Sequence, residues 1–131
     1  MAETDKLTVI TTSRREALCK ASSGAIAALS PITQVAFGSG GVNEDGETIP
    51  PSPGQTALNQ ELGKYPIDRV EYPVSTTARY LVTIPPEALG GAKISEVALV
   101  DSSGNLCAIR NMLPKGKDEG VAFTFTFDDE F

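Results

Sequence analysis

The sequence contains no histidine and no tryptophan, and only two cysteines. Without histidine there is no Ser–His or Cys–His nucleophile pair and no imidazole ligand for a metal. Cys19 and Cys107 alone cannot supply a four-thiolate zinc site or a disulfide framework. One falls in a predicted helix and the other in a predicted strand, so both read as buried thiols suited to a reducing compartment. Basic residues are also scarce: 11 Lys and Arg stand against 17 Asp and Glu, and the net charge of -6 argues against a phosphate-backbone binder. No apolar run approaches the ~18–20 residues that a membrane-spanning helix needs. Met1–Asp5 is polar and acidic, unlike a secretory signal.

What is present, within 131 residues, is enough for one domain that buries roughly two-thirds of its extended surface. Residues 1–6 are polar and expected to fray. Leu7–Ile10 reads as a short strand. Ser13 and Glu16 fit a Ser-x-x-Glu capping box, which predicts a helix to about Ser22 with Ala17, Leu18, Ala21 and Cys19 facing the core. Ile32–Phe37 alternates as a strand with both faces partly apolar. Residues 38–56 then become rich in Gly, Pro and acid, which predicts a long functional or mobile loop. Ala57–Leu62 reads as a second short helix, capped by Thr56 and stopped by Gly63.

The second half has the period of strands: 67–72, Arg79–Ile84, Ile94–Val100, Leu106–Asn111 and 121–127. Asp101–Asn105 has hairpin chemistry, and Pro114–Gly120 reads as a charged loop. The class expected from these elements is α+β, a mainly antiparallel sheet with an N-terminal helix and a second short helix in a single domain.

Few residues carry recognisable chemistry. Gly38-Ser39-Gly40-Gly41 lacks the Lys and Ser/Thr that a phosphate loop places after its glycines. The acidic Asn43–Glu47 stretch lacks the ligand spacing of a calcium loop. Glu96 sits in a strand and, if buried, calls for a partner such as Arg79 or Arg110. Phe123, Phe125 and Phe127 share one face and read as core. Asp128–Glu130 reads as a solubilising fringe on an edge strand. No catalytic residue, cofactor or metal site is assigned. The competing reading is a small ligand- or carbohydrate-binding module, for which the aromatic platforms would have to be Tyr65, Tyr72 and Tyr80.

The landmarks also come in a telling order. Val9-Ile10-Thr11-Thr12 opens the chain, then Val35-Ala36-Phe37-Gly38-Ser39-Gly40-Gly41. Pro53-Gly54-Gln55-Thr56-Ala57-Leu58-Asn59-Gln60-Glu61 follows, then Ile84-Pro85-Pro86-Glu87 with Gly90-Gly91. Glu96 to Ala108 forms an acidic-to-apolar hairpin around Asp101 and Gly104, and Asn111-Met112-Leu113-Pro114 with Lys117 and Glu119-Gly120 closes the set. This series, covering about residues 8–127, resembles the N-terminal domain family of phage tail-collar fibre proteins. Ala98 departs from the Gly usual there. Members usually continue into a fibre shaft and tip, whereas this chain stops at Phe131, so receptor binding is not carried over.

The resemblance implies a non-enzymatic virion protein of a phage or tail-like particle, assembled in the bacterial cytoplasm. Its partners would be other tail or baseplate proteins, and fibre-like parentage would imply a trimer. Edge strands and the long loop are the expected assembly contacts, with Gly38, Ser39, Gly40, Gly41, Pro53, Gln55 and the N-terminal residues as candidates.

Overall fold

A computed structural model describes residues 7–131; the expected fraying of residues 1–6 lies outside them. The chain runs β1 (Thr8–Ile10), α1 (Thr12–Ser22), β2 (Ile32–Gly38), β3 (Glu61–Val74), β4 (Thr77–Ile84), β5 (Lys93–Asp101), β6 (Leu106–Gly116) and β7 (Phe123–Glu130). The strands form one sheet in the order β1-β6-β5-β2-β3-β4-β7, with every neighbouring pair antiparallel. The sheet curls into a half-barrel, 50% strand and 9% helix.

This architecture corrects the expected α+β class with two helices. Among the described residues only α1 is helical, and the segment expected as the second helix is turn followed by the first residues of β3. The reason is tertiary. The main-chain N–H groups of Asn59 and Gln60 donate to the Glu96 carboxylate rather than to carbonyls one turn back. A weak local propensity loses to a buried charge that needs donors.

The period-2 pattern determines the two faces of the sheet. On the concave face Val35, Phe37, Val82, Ile84, Val97, Leu99, Phe125 and Phe127 form the main core. The Phe37 ring meets Phe125 edge-on at 5.9 Å and Tyr65 at 6.1 Å. The phenylalanine stripe of β7 is therefore core, as its alternation predicts. On the convex face Ala36, Ala98, Val100, Leu106 and Ile109 form a second cluster under Leu58. Hence β5 is buried on both sides from Ile94 to Asp101 and reads as nearly continuous apolar sequence. The hairpin between β5 and β6 closes as expected, with an Asp101 Oδ1 that accepts from the N–H of Ser103 and Asn105 and Gly104 at φ 89°.

Two local expectations change. The cap of α1 is Thr11, not Ser13: its Oγ1 accepts from Arg14 N at 3.1 Å while donating to the Leu106 carbonyl at 2.6 Å. A single hydroxyl thus caps the helix and ties its start to β6. The helix also buries no residue completely, and Cys19 is exposed rather than buried. Cys107 is buried, and desolvation pushes its thiol up to about 11 against the opposing pull of Arg14. Since the thiolate is the nucleophile, brief alkylation of the native protein at pH 8 should add one label, at Cys19. Denaturation should expose the second, and peptide mass spectrometry would distinguish the sites.

Candidate functional site

The long connection between β2 and β3 is a pinned strap across the convex face. Its entrance and exit meet at Glu96, which is fully buried. One carboxylate oxygen accepts from Gly40 N at 2.7 Å and Gln60 N at 2.8 Å; the other accepts from Asn59 N at 2.7 Å. Asn59 Nδ2 donates to the Gly40 carbonyl, and Ser39 N to that of Gln60. The expected partner of Glu96 was an arginine, but three main-chain amides take that place. Arg79 instead forms a two-pronged pair with Asp128, and Arg110 is exposed.

The glycines lining the strap entrance owe their identity to this closeness. A Cβ on Gly38 would lie 2.5 Å from the Gln60 carbonyl oxygen, and one on Gly40 would lie 2.6 Å from Glu96 Oε2. Gly41 N donates to Ser95 Oγ, and a Cβ there would stand 2.0 Å from the Ser95 carbonyl oxygen. Farther along, Val42 bridges Thr48 around a tight turn in which Asn43 Oδ1 accepts from Asp45 and Glu47 N–H. Asn111 Nδ2 donates to the Ile49 carbonyl, and Leu58 fills the convex cluster.

Of the candidate contacts, Gly38 and Gly41 are buried and Ser39 and Gly40 half-buried; the three glycines gather around Glu96 and Ser95, while Ser39 N meets the Gln60 carbonyl. Pro53 and Gln55 lie at the other end. The exposed Pro53 accepts from Thr12 N at 2.7 Å, and Gln55 braces its own turn through Ser52 N and the Ala57 carbonyl. The N-terminal candidates lie outside the described residues. Among the described residues, no group of three or more acidic or cysteine side chains gathers to hold a metal ion, and no helix is long and apolar enough to cross a membrane. The tyrosines form no platform: Tyr65 packs in the core, Tyr80 is half-buried and Tyr72 points to solvent.

A feature that the sequence reading missed lies on the open side of the half-barrel. A cleft of about 590 Å³ is lined by Thr8 and Ile10 of β1, Ala108 and Arg110 of β6, and Thr126–Glu130 of β7. A smaller cavity of about 180 Å³ continues it under α1, between Arg14, Leu18, Cys107, Asp129 and Phe131. The signal was present in the alternation: Phe123, Phe125, Phe127 and Asp129 share one face, so a carboxylate follows three phenylalanines inward. Lys117 was also missed. It was read as part of a charged loop, yet it is buried, and its ammonium donates to the carbonyls of Pro86 and Asp118.

The two aspartates of β7 therefore have opposite electrostatics. The hydrogen bonds from Arg79 hold Asp128 below the usual carboxylate range, whereas burial raises Asp129, with Arg14 opposing. A depressed folded-state value makes Asp128 stabilising above the unfolded carboxylate range, a contribution lost as pH falls through the folded value. A raised value makes Asp129 destabilising when ionised, a penalty relieved as pH falls through it. Between pH 7 and 3, Asp128→Asn should flatten the acid loss of stability and Asp129→Asn should steepen it. Urea midpoints measured at each pH would read this difference.

A search of curated proteins finds no match. A protein-family model for the N-terminal region of phage tail-collar fibre proteins matches residues 2–122. That span contains the strap, Glu96 and its three amides, and every strand but the last. The chain belongs to the phage tail-collar fibre protein family, whose members are structural components of the virion tail.

Proposed function

We propose that this chain is the attachment domain through which a tail fibre, or a fibre-like appendage, is seated on the baseplate or distal tail of a phage or tail-like particle. The family match over nearly the whole chain carries this reading. The fold supports it: a curled sheet with a strap pinned at both ends has, among the described residues, two unpaired strand edges, β1 and β7, and such edges are common sites of protein–protein pairing. The exposed residues of the strap, Glu44–Glu47 and Ser52–Gly54 with Pro53 among them, are offered as partner contacts together with Gln55. Its partners are other tail or baseplate proteins, and it joins them in the bacterial cytoplasm, as three copies where a fibre shaft follows.

The test is negative-stain microscopy of particles made with and without this gene product. Particles lacking it should miss an appendage or a feature of the tail tip. Fibre-bearing, infectious particles in its absence would overturn the proposal.

A further inference from the structure

Six successive antiparallel pairings separate β1 from β7 in the sheet. An even number of reversals leaves the two edge strands pointing the same way. They therefore cannot pair antiparallel with each other, although both line one cleft. One strand running the opposite way would be antiparallel to both.

The main-chain groups face correctly for such a strand. The Leu7 carbonyl accepts from Asn111 N, and Thr11 N donates to the Cys107 carbonyl, so alternation turns the groups of Thr8 and Ile10 away from β6. Phe131 N donates to the Thr76 carbonyl, so the groups of Thr124, Thr126, Asp128 and Glu130 turn away from β4. Thr8, Ile10, Thr126, Asp128 and Glu130 are also among the residues lining the cleft.

Asp129 indicates the chemistry of what enters. It is 5% exposed and lines both the cleft and the smaller cavity, yet it accepts no side-chain-directed hydrogen bond among the described residues. Arg14, the nearby cation, donates to the Ser30 carbonyl instead. Its carboxylate is largely desolvated, but its oxygens are not sealed off from the cleft, so a cation or donor entering there can reach them and offset that cost. Beside it, half-buried Ile10 offers apolar surface, and the buried Phe127 forms part of the cleft wall. A second folded copy, added edge to edge, would pair with only one of the two rims. A single extended segment with two free edges satisfies both.

We infer that β1 and β7 form an acceptor for one extended strand of a neighbouring polypeptide, which runs antiparallel to both, completes an eight-stranded antiparallel barrel and seats a lysine or arginine on Asp129. The donor alternates apolar residues inward, against Ile10 and Phe127, with polar residues outward. This deepens the attachment reading by naming the partner's form, while its test concerns the isolated protein.

The acceptor can be supplied with a donor in cis. The full chain is extended after Phe131 by Thr-Asn-Gly-Thr-Val-Thr-Lys-Thr-Val-Thr. An Asn-Gly hairpin turns the added strand back along β7, with its lysine across from Asp129 and its second valine across from Phe127. Amide hydrogen exchange followed by NMR is the readout. The extended chain should show at least tenfold slower exchange at Thr8 and Ile10 as well as at Thr126 and Asp128. Slowing on β7 alone would mean a simple hairpin and would overturn the inference. So would amides at Thr8 and Ile10 that are equally slow in the unextended chain, because the gap would then already be filled. Exchanging the donor lysine for glutamate should abolish the slowing at β1, and Asp129→Asn should restore it. A glutamate donor that protects as well as lysine would overturn the role given to Asp129. Failure here would leave the appendage phenotype of the particle untouched, so the two proposals fall separately.

Discussion

Glu96→Ala should lower the stability of the fold by about 3–5 kcal/mol, the largest loss expected from any single side-chain truncation in the strap region. Three main-chain N–H groups, on half-buried Gly40 and on Asn59 and Gln60, would lose their fully buried acceptor together. A fully buried donor left without a partner costs about 1–3 kcal/mol; these bonds are part-buried, so hydration and relaxation of the strap would recover some of the sum, while the emptied space beside β5 adds to it. Glu96→Gln separates charge and shape from acceptor count. Its amide oxygen can serve the two donors at one position, but its NH2 group would face the Asn59 N–H. A loss of about 2–3 kcal/mol follows from that donor–donor contact. Urea denaturation gives both numbers, and amide exchange should show the defect concentrated at Gly40, Asn59 and Gln60. Wild-type stability in both variants would mean that the carboxylate is not what closes the strap.

The reason that closure matters is one of chain entropy. A connection of this length is tolerated because closure entropy grows only slowly with loop length, but its ends must still be brought together. Here one carboxylate accepts from both ends, so the strap enters and leaves the sheet at a single point. Substituting Arg79 or Arg110 as the partner, as the sequence suggested, would have neutralised the charge without joining the two ends.

Much of the sheet was legible because its information is local. The alternation of Arg79–Ile84, the apolar run from Ile94 and the phenylalanines of β7 each encode which face is buried within a few residues. The hairpin at Asp101–Asn105 is likewise written in an aspartate and a glycine. What failed depended on contacts distant in the chain. The short helix expected over 57–62 gave way because its amides serve a carboxylate 36 and 37 residues away. The cap moved from Ser13 to Thr11 because Leu106, 95 residues away, anchors the hydroxyl. Thus the class came out with one helix too many, although the antiparallel pattern of the strands was readable throughout. At the candidate site the landmarks exposed the family, whereas the cleft was invisible until the order of strands brought β1 beside β7.

The glycines of the strap provide the sharpest test of whether it is pinned or loose. Gly41→Ala should destabilise the protein by about 3 kcal/mol, at the upper end of the range for overpacking a close-packed interior. The added methyl would meet the Ser95 carbonyl oxygen at 2.0 Å and its carbon at 2.7 Å. Those atoms belong to β5, a central strand buried on both faces, so neither partner can swing aside as a flexible side chain could. Gly54→Ala, in the same strap, has an opposite expectation. Beyond the adjacent residues, the nearest atom to a Cβ there would be Ser52 Oγ at 4.0 Å, and the Gly54 backbone lies outside the left-handed region. Stability should stay within about 0.5 kcal/mol or rise slightly, because alanine restricts the unfolded chain. Denaturation midpoints of the two variants, measured side by side, decide the matter. A freely flexing glycine loop would tolerate both changes alike; a strap built against β5 tolerates only the second.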